Sequence, residues 1–282
     1  MKTNGYAPGH HWFTIDGVKL HYLAWGDRTR PVLVLLHGGG QSAHTWQRVA
    51  ARLAPHYRVL APDACGHGES EWSPDGQYSL ERFCADLHGF VTALRLGRFV
   101  LVGMSLGGMT ALAYAGRYGE LLRGLVVVDI APEVQPEGKE RVLGFMQGRE
   151  SFASLEDAVE YAHAYNPRRS REVLRQTLPR NLRTLPDGRL RWKWDPVMFK
   201  HAARLAASVD ALWQDAARVP CPTLVVHGVE SDILSAAAGQ RLATVLPQGR
   251  YLAVTSAGHS VQGDNPQSLA DVLEDFLSQL AG

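Results

Sequence analysis

The sequence predicts an α/β fold: a mostly parallel, twisted sheet flanked by helices, with an inserted helical cap. Three observations predict it. Short apolar runs rich in β-branched residues alternate with helical patterns along most of the 282 residues, the signature of strands joined by crossover helices. The residues with chemical potential fall just after those runs, at the carboxyl ends of strands, where sites in parallel sheets form. Finally, roughly ninety residues between Asp129 and Thr223 show helical patterns and no convincing strand, far more than a connection between sheet elements needs.

Taken in order, Trp12–Ile15 and Val18–Trp25 flank Asp16-Gly17, a two-residue turn that favours an antiparallel hairpin. Buried-strand runs follow at Val32–Leu36, Arg58–Ala61, Phe99–Gly103, Leu125–Asp129, Thr223–His227 and Arg250–Thr255. Between them lie helical patterns at Trp46–Ala54, Leu80–Leu96, Met109–Tyr118, Ala236–Leu246 and Pro266–Leu280. The long interruption begins at the Pro-marked linker Pro132-Glu133-Val134-Gln135-Pro136. Helices are expected within it at Lys139–Arg149, Leu155–Ala164, Arg171–Leu178 and Val197–Trp213, with a turn at Leu185–Arg189. The expected organisation is a core of residues 1–132 and 216–282 with a cap over 133–215.

The strand Phe99–Val102 runs into Gly103-Met104-Ser105-Leu106-Gly107, after which an Ala- and Leu-rich helix starts. A serine on a sharp strand-to-helix turn, with glycine two positions to either side, is a nucleophile elbow. A serine hydroxyl needs a base to take its proton. His259, in Gly258-His259-Ser260 on the loop after the last strand run, is the candidate. Asp232, on the loop after Thr223–Gly228, is preferred as the acid that orients the imidazole, because the order Ser…Asp…His then holds. Asp129 and Glu230 remain alternatives, and Asp232 could instead cap the following helix. The run Val32–Leu36 ends in His37-Gly38-Gly39-Gly40, whose amides could hold an oxyanion. The Gly39 and Leu106 N–H groups are the expected donors, with Gly40 as the alternative to Gly39, and His37 is expected to brace the loop.

These segments, with Asp63-Ala64-Cys65-Gly66-His67-Gly68-Glu69-Ser70, resemble the α/β-hydrolase fold family over most of the chain and in the family's order. The resemblance implies Ser105 as nucleophile, Asp232 as acid, His259 as base, and the Gly39 and Leu106 amides as oxyanion donors. One departure stands out: many members place the acid three residues after the glycine of the penultimate strand, whereas Asp232 is four after Gly228. Serine rather than aspartate at the elbow argues against the dehalogenase and epoxide-hydrolase chemistry of similar proteins.

The resulting expectation is a cofactor-independent serine hydrolase that cleaves a carboxylic ester of a small or medium hydrophobic substrate through an acyl-enzyme, with no metal. Lactone hydrolysis, C–C cleavage of a diketone, acyl transfer, and a small-molecule receptor with a vestigial triad are the alternatives. Gly40, Trp192, Trp194, Met198 and Phe199 are expected to wall the substrate pocket. The arginine-rich stretch containing Arg168, Arg169, Arg171, Arg175, Arg180, Arg183, Arg189 and Arg191 reads as a solvated face, or as holding one arginine for a substrate carboxylate. A net charge of +1 argues against nucleic acid as a partner. Three cysteines, Cys65, Cys84 and Cys221, suggest no disulfide framework. No uncharged apolar stretch is long enough to span a bilayer, and the first residues lack the apolar core of a signal peptide, so a small-molecule substrate and a cytoplasmic location are expected.

Overall fold

The computed structural model describes residues 7–200 and 209–280. Its main sheet has eight strands in the order β1-β2-β4-β3-β5-β6-β10-β11. β1 (Gly9–Ile15) and β2 (Val18–Trp25) form the expected hairpin, and β2 also runs antiparallel to β4 (Arg58–Pro62). Asp16 and Gly17 both take positive φ in the hairpin turn, at 49° and 79°, as a tight turn with the right twist requires. From β4 onward every pairing is parallel, through β3 (Val32–Leu36), β5 (Phe99–Met104), β6 (Leu122–Val128), β10 (Thr223–Gly228) and β11 (Gly249–Val254).

Alternation along the strands divides the core in two. Leu33, Leu35, Val100 and Val102 face one side and pack with residues of α1 (Gln47–Leu53) and α11 (Pro266–Gln279). Val34, Leu36 and Leu101 face the other, against α2 (Leu80–Ala93), α3 (Leu106–Tyr118), α8 (Val209–Ala217) and α9 (Ala236–Val245). These strands are apolar on both faces because helices cover both, as in parallel sheets generally.

The insertion contains α4 (Pro136–Gly148), α5 (Leu155–Tyr165), α6 (Arg171–Thr177) and α7 (Pro196–Lys200). It also contains something the sequence reading did not anticipate: a three-stranded antiparallel sheet of β7 (Ser151–Phe152), β9 (Leu190–Trp192) and β8 (Leu182–Thr184). Its strands have only two or three residues, too few to carry a period of two. The helix expected over Val197–Trp213 falls partly outside the described residues. Its last part belongs to α8, which crosses residue 215 and buries Leu212 and Ala216 in the core beside α3. The insertion is joined to the core by apolar packing of Trp192, Trp194, Met198 and Phe199 with Leu106, Cys65 and Tyr78. Polar ties accompany it, from the Tyr78 hydroxyl to Asp195 (2.7 Å) and from Lys193 to Glu69.

Candidate active site

Ser105 sits between the end of β5 and the first residue of α3 with φ 52° and ψ −118°, a conformation a non-glycine residue adopts only when its surroundings impose it. The imposing contacts are the flanking glycines. A Cβ on Gly103 would lie 2.2 Å from the Gly107 carbonyl oxygen, and one on Gly107 would lie 2.5 Å from that of Leu36. The crossing of helix and strands therefore leaves room for hydrogen only, and the turn lifts the Ser105 hydroxyl above the sheet.

His259, on the loop between β11 and the short helix Val261–Asp264, accepts from the Ser105 hydroxyl at Nε2 over 3.0 Å. Its Nδ1–H donates to Asp129 Oδ2 at 2.8 Å. Three distant segments thus form one hydrogen-bonded chain at the carboxyl edge of the sheet.

The acid in that chain is Asp129 and not Asp232, which corrects the sequence-based preference. Asp129 lies one residue beyond β6, fully buried, with φ 53° turning its carboxylate towards the His259 loop. The Gly228 N–H donates to its Oδ1 at 2.8 Å and the Ser231 hydroxyl to its Oδ2, so the carboxylate is fixed from the neighbouring strand β10. Asp232 turns the other way. Arg141 of α4 grips it with two bonds, one of them Nη2 to Oδ1 at 2.8 Å, and this hydrogen bonding holds the Asp232 carboxyl below its usual range. Glu230, the third alternative, pairs with Arg168 at 2.7 Å. Ser231, which sequence reasoning passed over, orients Asp129 while accepting from the Ile233 and Leu234 amides.

The two loops over the elbow are laced together by buried imidazoles. His37 donates from Nδ1 to the Gly38 carbonyl (2.8 Å) and accepts from the Ala64 N–H at Nε2 (3.0 Å), the bracing role expected for it. His67 accepts from the Gly40 N–H at Nε2 over 3.1 Å, which commits that amide and leaves Gly39 as the glycine-loop candidate for an oxyanion. Burial pushes the His67 imidazole down to about 3, so the ring is neutral and free to accept. The Leu106 N–H belongs to the first turn of α3, whose amides have no partner within the helix. Cys65 is inert by comparison: it is fully buried, and burial pushes its thiol up to about 12.

A cavity of about 570 Å³ lies over Ser105 and His259. Gly40, Trp192, Trp194 and Phe199 line it as expected, along with Met109, Val142, Leu143, Phe145, Met146 and Ile233. Met198 does not; it is buried in the packing between insertion and core. Arg169 is the one arginine among the described lining residues, and Asp264 already pairs with it at 3.1 Å. Arg171, Arg175 and Arg189 pair with Glu160, Glu156 and Asp187, and Arg183 and Arg191 stack on Trp72 at 4.6 and 5.0 Å. The stretch thus behaves mainly as an ion-paired outer face. Among the described residues, no helix is long and apolar enough to cross a membrane.

A strained serine turn joined to a histidine and a buried aspartate above a mostly parallel sheet defines a class, and comparison with known proteins agrees with it. The model of the alpha/beta hydrolase fold family matches residues 31–266, and the chain belongs to that family. The chain is similar to esterase Rv0045c of Mycobacterium tuberculosis, with 33% identity over 90% of this chain and 85% of that protein. A 3-hydroxybutyrate-oligomer hydrolase of Cupriavidus necator is 28% identical over 89% of this chain and 90% of its own length. A solved structure of the Mycobacterium tuberculosis esterase aligns with a TM-score of 0.81 at 29% identity, covering 98% of this chain and 93% of that one. The structure of an E-2-(acetamidomethylene)succinate hydrolase shares the fold, with a TM-score of 0.87 at 23% identity, covering 96% of this chain and all of that one.

Proposed function

We propose that this protein is a cofactor-independent serine hydrolase that cleaves a carboxylic ester of a small or medium hydrophobic substrate. The observation that carries the reading is the chain Ser105–His259–Asp129 on the floor of a largely apolar cavity. The family and the names of its relatives, an esterase and an oligomer hydrolase among them, support hydrolysis as the reaction type.

In this reading Ser105 Oγ attacks the ester carbonyl carbon as His259 Nε2 takes the hydroxyl proton. Asp129 keeps the imidazole in the tautomer with its proton on Nδ1 and stabilises the cation formed on proton uptake. The negative charge on the former carbonyl oxygen is met by the Gly39 and Leu106 N–H groups, assisted by the positive end of α3. Collapse of the tetrahedral adduct breaks the ester C–O bond; His259 returns the proton to the leaving alcohol, leaving an acyl-Ser105. Water, deprotonated by the same imidazole, then releases the acid and restores the serine. The insertion excludes bulk water from the reacting atoms, and Trp194 and Phe199, beside Gly40 and Gly39, meet the apolar part of the substrate.

A fluorophosphonate probe followed by peptide mapping tests the reading, together with turnover of p-nitrophenyl esters, lactones and vinylogous diketones. Labelling at Ser105, ester turnover above the other two substrates, and loss of turnover in Ser105→Ala are expected. Label elsewhere, or undiminished turnover in Ser105→Ala, contradicts it; a preference for lactone or diketone redirects the substrate class.

A further inference from the structure

The mechanism above gives the fully buried His67 no task. His67 lies on the loop after β4, outside the cavity wall, with no exposure to solvent. Its surroundings hold it firmly. Its own amide donates to the Ala64 carbonyl at 2.9 Å, its carbonyl accepts from Ser70 N–H at 3.0 Å, and Asp63 ties the loop by accepting from Glu69 N–H at 2.9 Å. The ring stands edge-on to His37 with centroids 5.0 Å apart.

The two imidazoles make a reciprocal brace. His37 belongs to the glycine loop and accepts an amide of the β4 loop (Ala64), whereas His67 belongs to the β4 loop and accepts an amide of the glycine loop (Gly40). The amides of the glycine loop are thereby sorted. Gly38 N–H donates to Gln41 Oε1 at 3.3 Å, Gly40 N–H donates to His67, and the Gly39 N–H has no acceptor among the described residues. Gly40 has φ +69°, a left-handed conformation that glycine adopts without strain. A backbone amide can serve a developing charge without reorganisation only if its neighbours hold the peptide planes in place.

We propose that His67 is a positioning residue for oxyanion stabilisation: by accepting the Gly40 N–H, it commits that donor to the scaffold and aims the Gly39 N–H at the oxygen on which charge develops. This rests on the serine-hydrolase reading of the same site. The required chemistry is an acceptor nitrogen or oxygen at the position of Nε2. A glutamine can supply it and a leucine cannot.

His67→Gln and His67→Leu, assayed on a p-nitrophenyl ester, test the proposal. Loss of aim should cost about 10- to 100-fold in kcat for His67→Leu, with KM changed by less than about threefold because His67 does not line the cavity. His67→Gln should recover most of that loss. Wild-type kcat in His67→Leu, or equal losses in the two variants, overturns the proposal. A second measurement needs no variant, and it stands if His67→Leu fails to fold. Wild-type enzyme labelled with ¹⁵N-glycine is titrated with phenylboronic acid, which forms a tetrahedral adduct on an active serine. The Gly39 amide resonance should move strongly downfield while that of Gly40 stays close to its free position; a large Gly40 shift overturns the assignment. If the boronate moves neither glycine and Ser105→Ala retains turnover, the serine reading itself has failed, and the proposal falls with it.

Discussion

Asp129 and Asp232 follow neighbouring strands of one sheet and differ in what each carboxylate already holds. Asp129 is buried, takes N–H and O–H donors from Gly228 and Ser231, and has one further acceptor site aimed at His259. Asp232 is partly exposed and spends both oxygens on a guanidinium. Ser231 is therefore a support for the acid: it donates to a carboxylate, and hydrogen bonds to charged groups contribute about 1.5–3 kcal/mol. Ser231→Ala should lower stability by an amount of that order, read as a shift of the urea midpoint at constant slope, and should also reduce kcat. An unchanged midpoint would show that Asp129 is held without it. Ser105 and His259 were legible in the sequence because their turns announce themselves locally, through paired glycines and a Gly-His after a strand. The acid was not, because every candidate is an acidic residue on a loop after a strand. The choice depends on Arg141 and Arg168, which arrive from the insertion, and no spacing within the chain reports where they reach.

At the level of elements, the elbow works only if α3 can pass within van der Waals contact of β3 and β5. The Gly107 position meets the carbonyl oxygens of both Leu36 and His37, backbone atoms that cannot swing aside as a side chain would. Gly107→Ala is expected to destabilise by about 3 kcal/mol or more, the upper range for overpacking, and to abolish turnover, as thermal melting and ester hydrolysis would show. A variant with unaltered melting and activity would mean that the crossing has slack. The long strands and the hairpin could be read from the sequence because their apolar runs are long and their turn residues specific. The small sheet β7-β9-β8 could not. Its cross-strand contacts join residues up to about forty positions apart, Ser151 with Arg191 for instance, and each strand is too brief to show a pattern. The same geometry explains the pocket: Trp192 and Trp194 stack with centroids 4.4 Å apart at the cavity wall, while Met198 packs inward.

For the whole molecule, the buried neutral histidines set how stability responds to acid. Burial pushes His67 down to about 3 and lowers His37 as well. In the unfolded chain the same side chains accept a proton near the ordinary imidazole value of 6.5. Below that pH the unfolded state binds protons that the folded state refuses, so stability is full above about 6.5 and falls as the pH drops towards 3. At pH 5 the His67 contribution to this loss is about 2 kcal/mol. Urea midpoints should decline between pH 7.5 and 5, and His67→Gln should make that decline shallower. A midpoint constant over this range would contradict the account. Sequence reading anticipated His37 as a brace but gave His67 no role, because its partner Gly40 belongs to a loop that follows a different strand, β3.

The central claim is that Ser105, His259 and Asp129 act as one unit, and Asp129→Asn set beside Asp232→Asn tests it most directly. Steady-state kcat on an activated ester should fall by about 10⁴-fold in Asp129→Asn, as when other triad acids are neutralised. In Asp232→Asn, whose site is an ion pair with Arg141, it should stay within about threefold, since exposed pairs contribute little. A crippled Asp232→Asn beside an active Asp129→Asn would contradict the account.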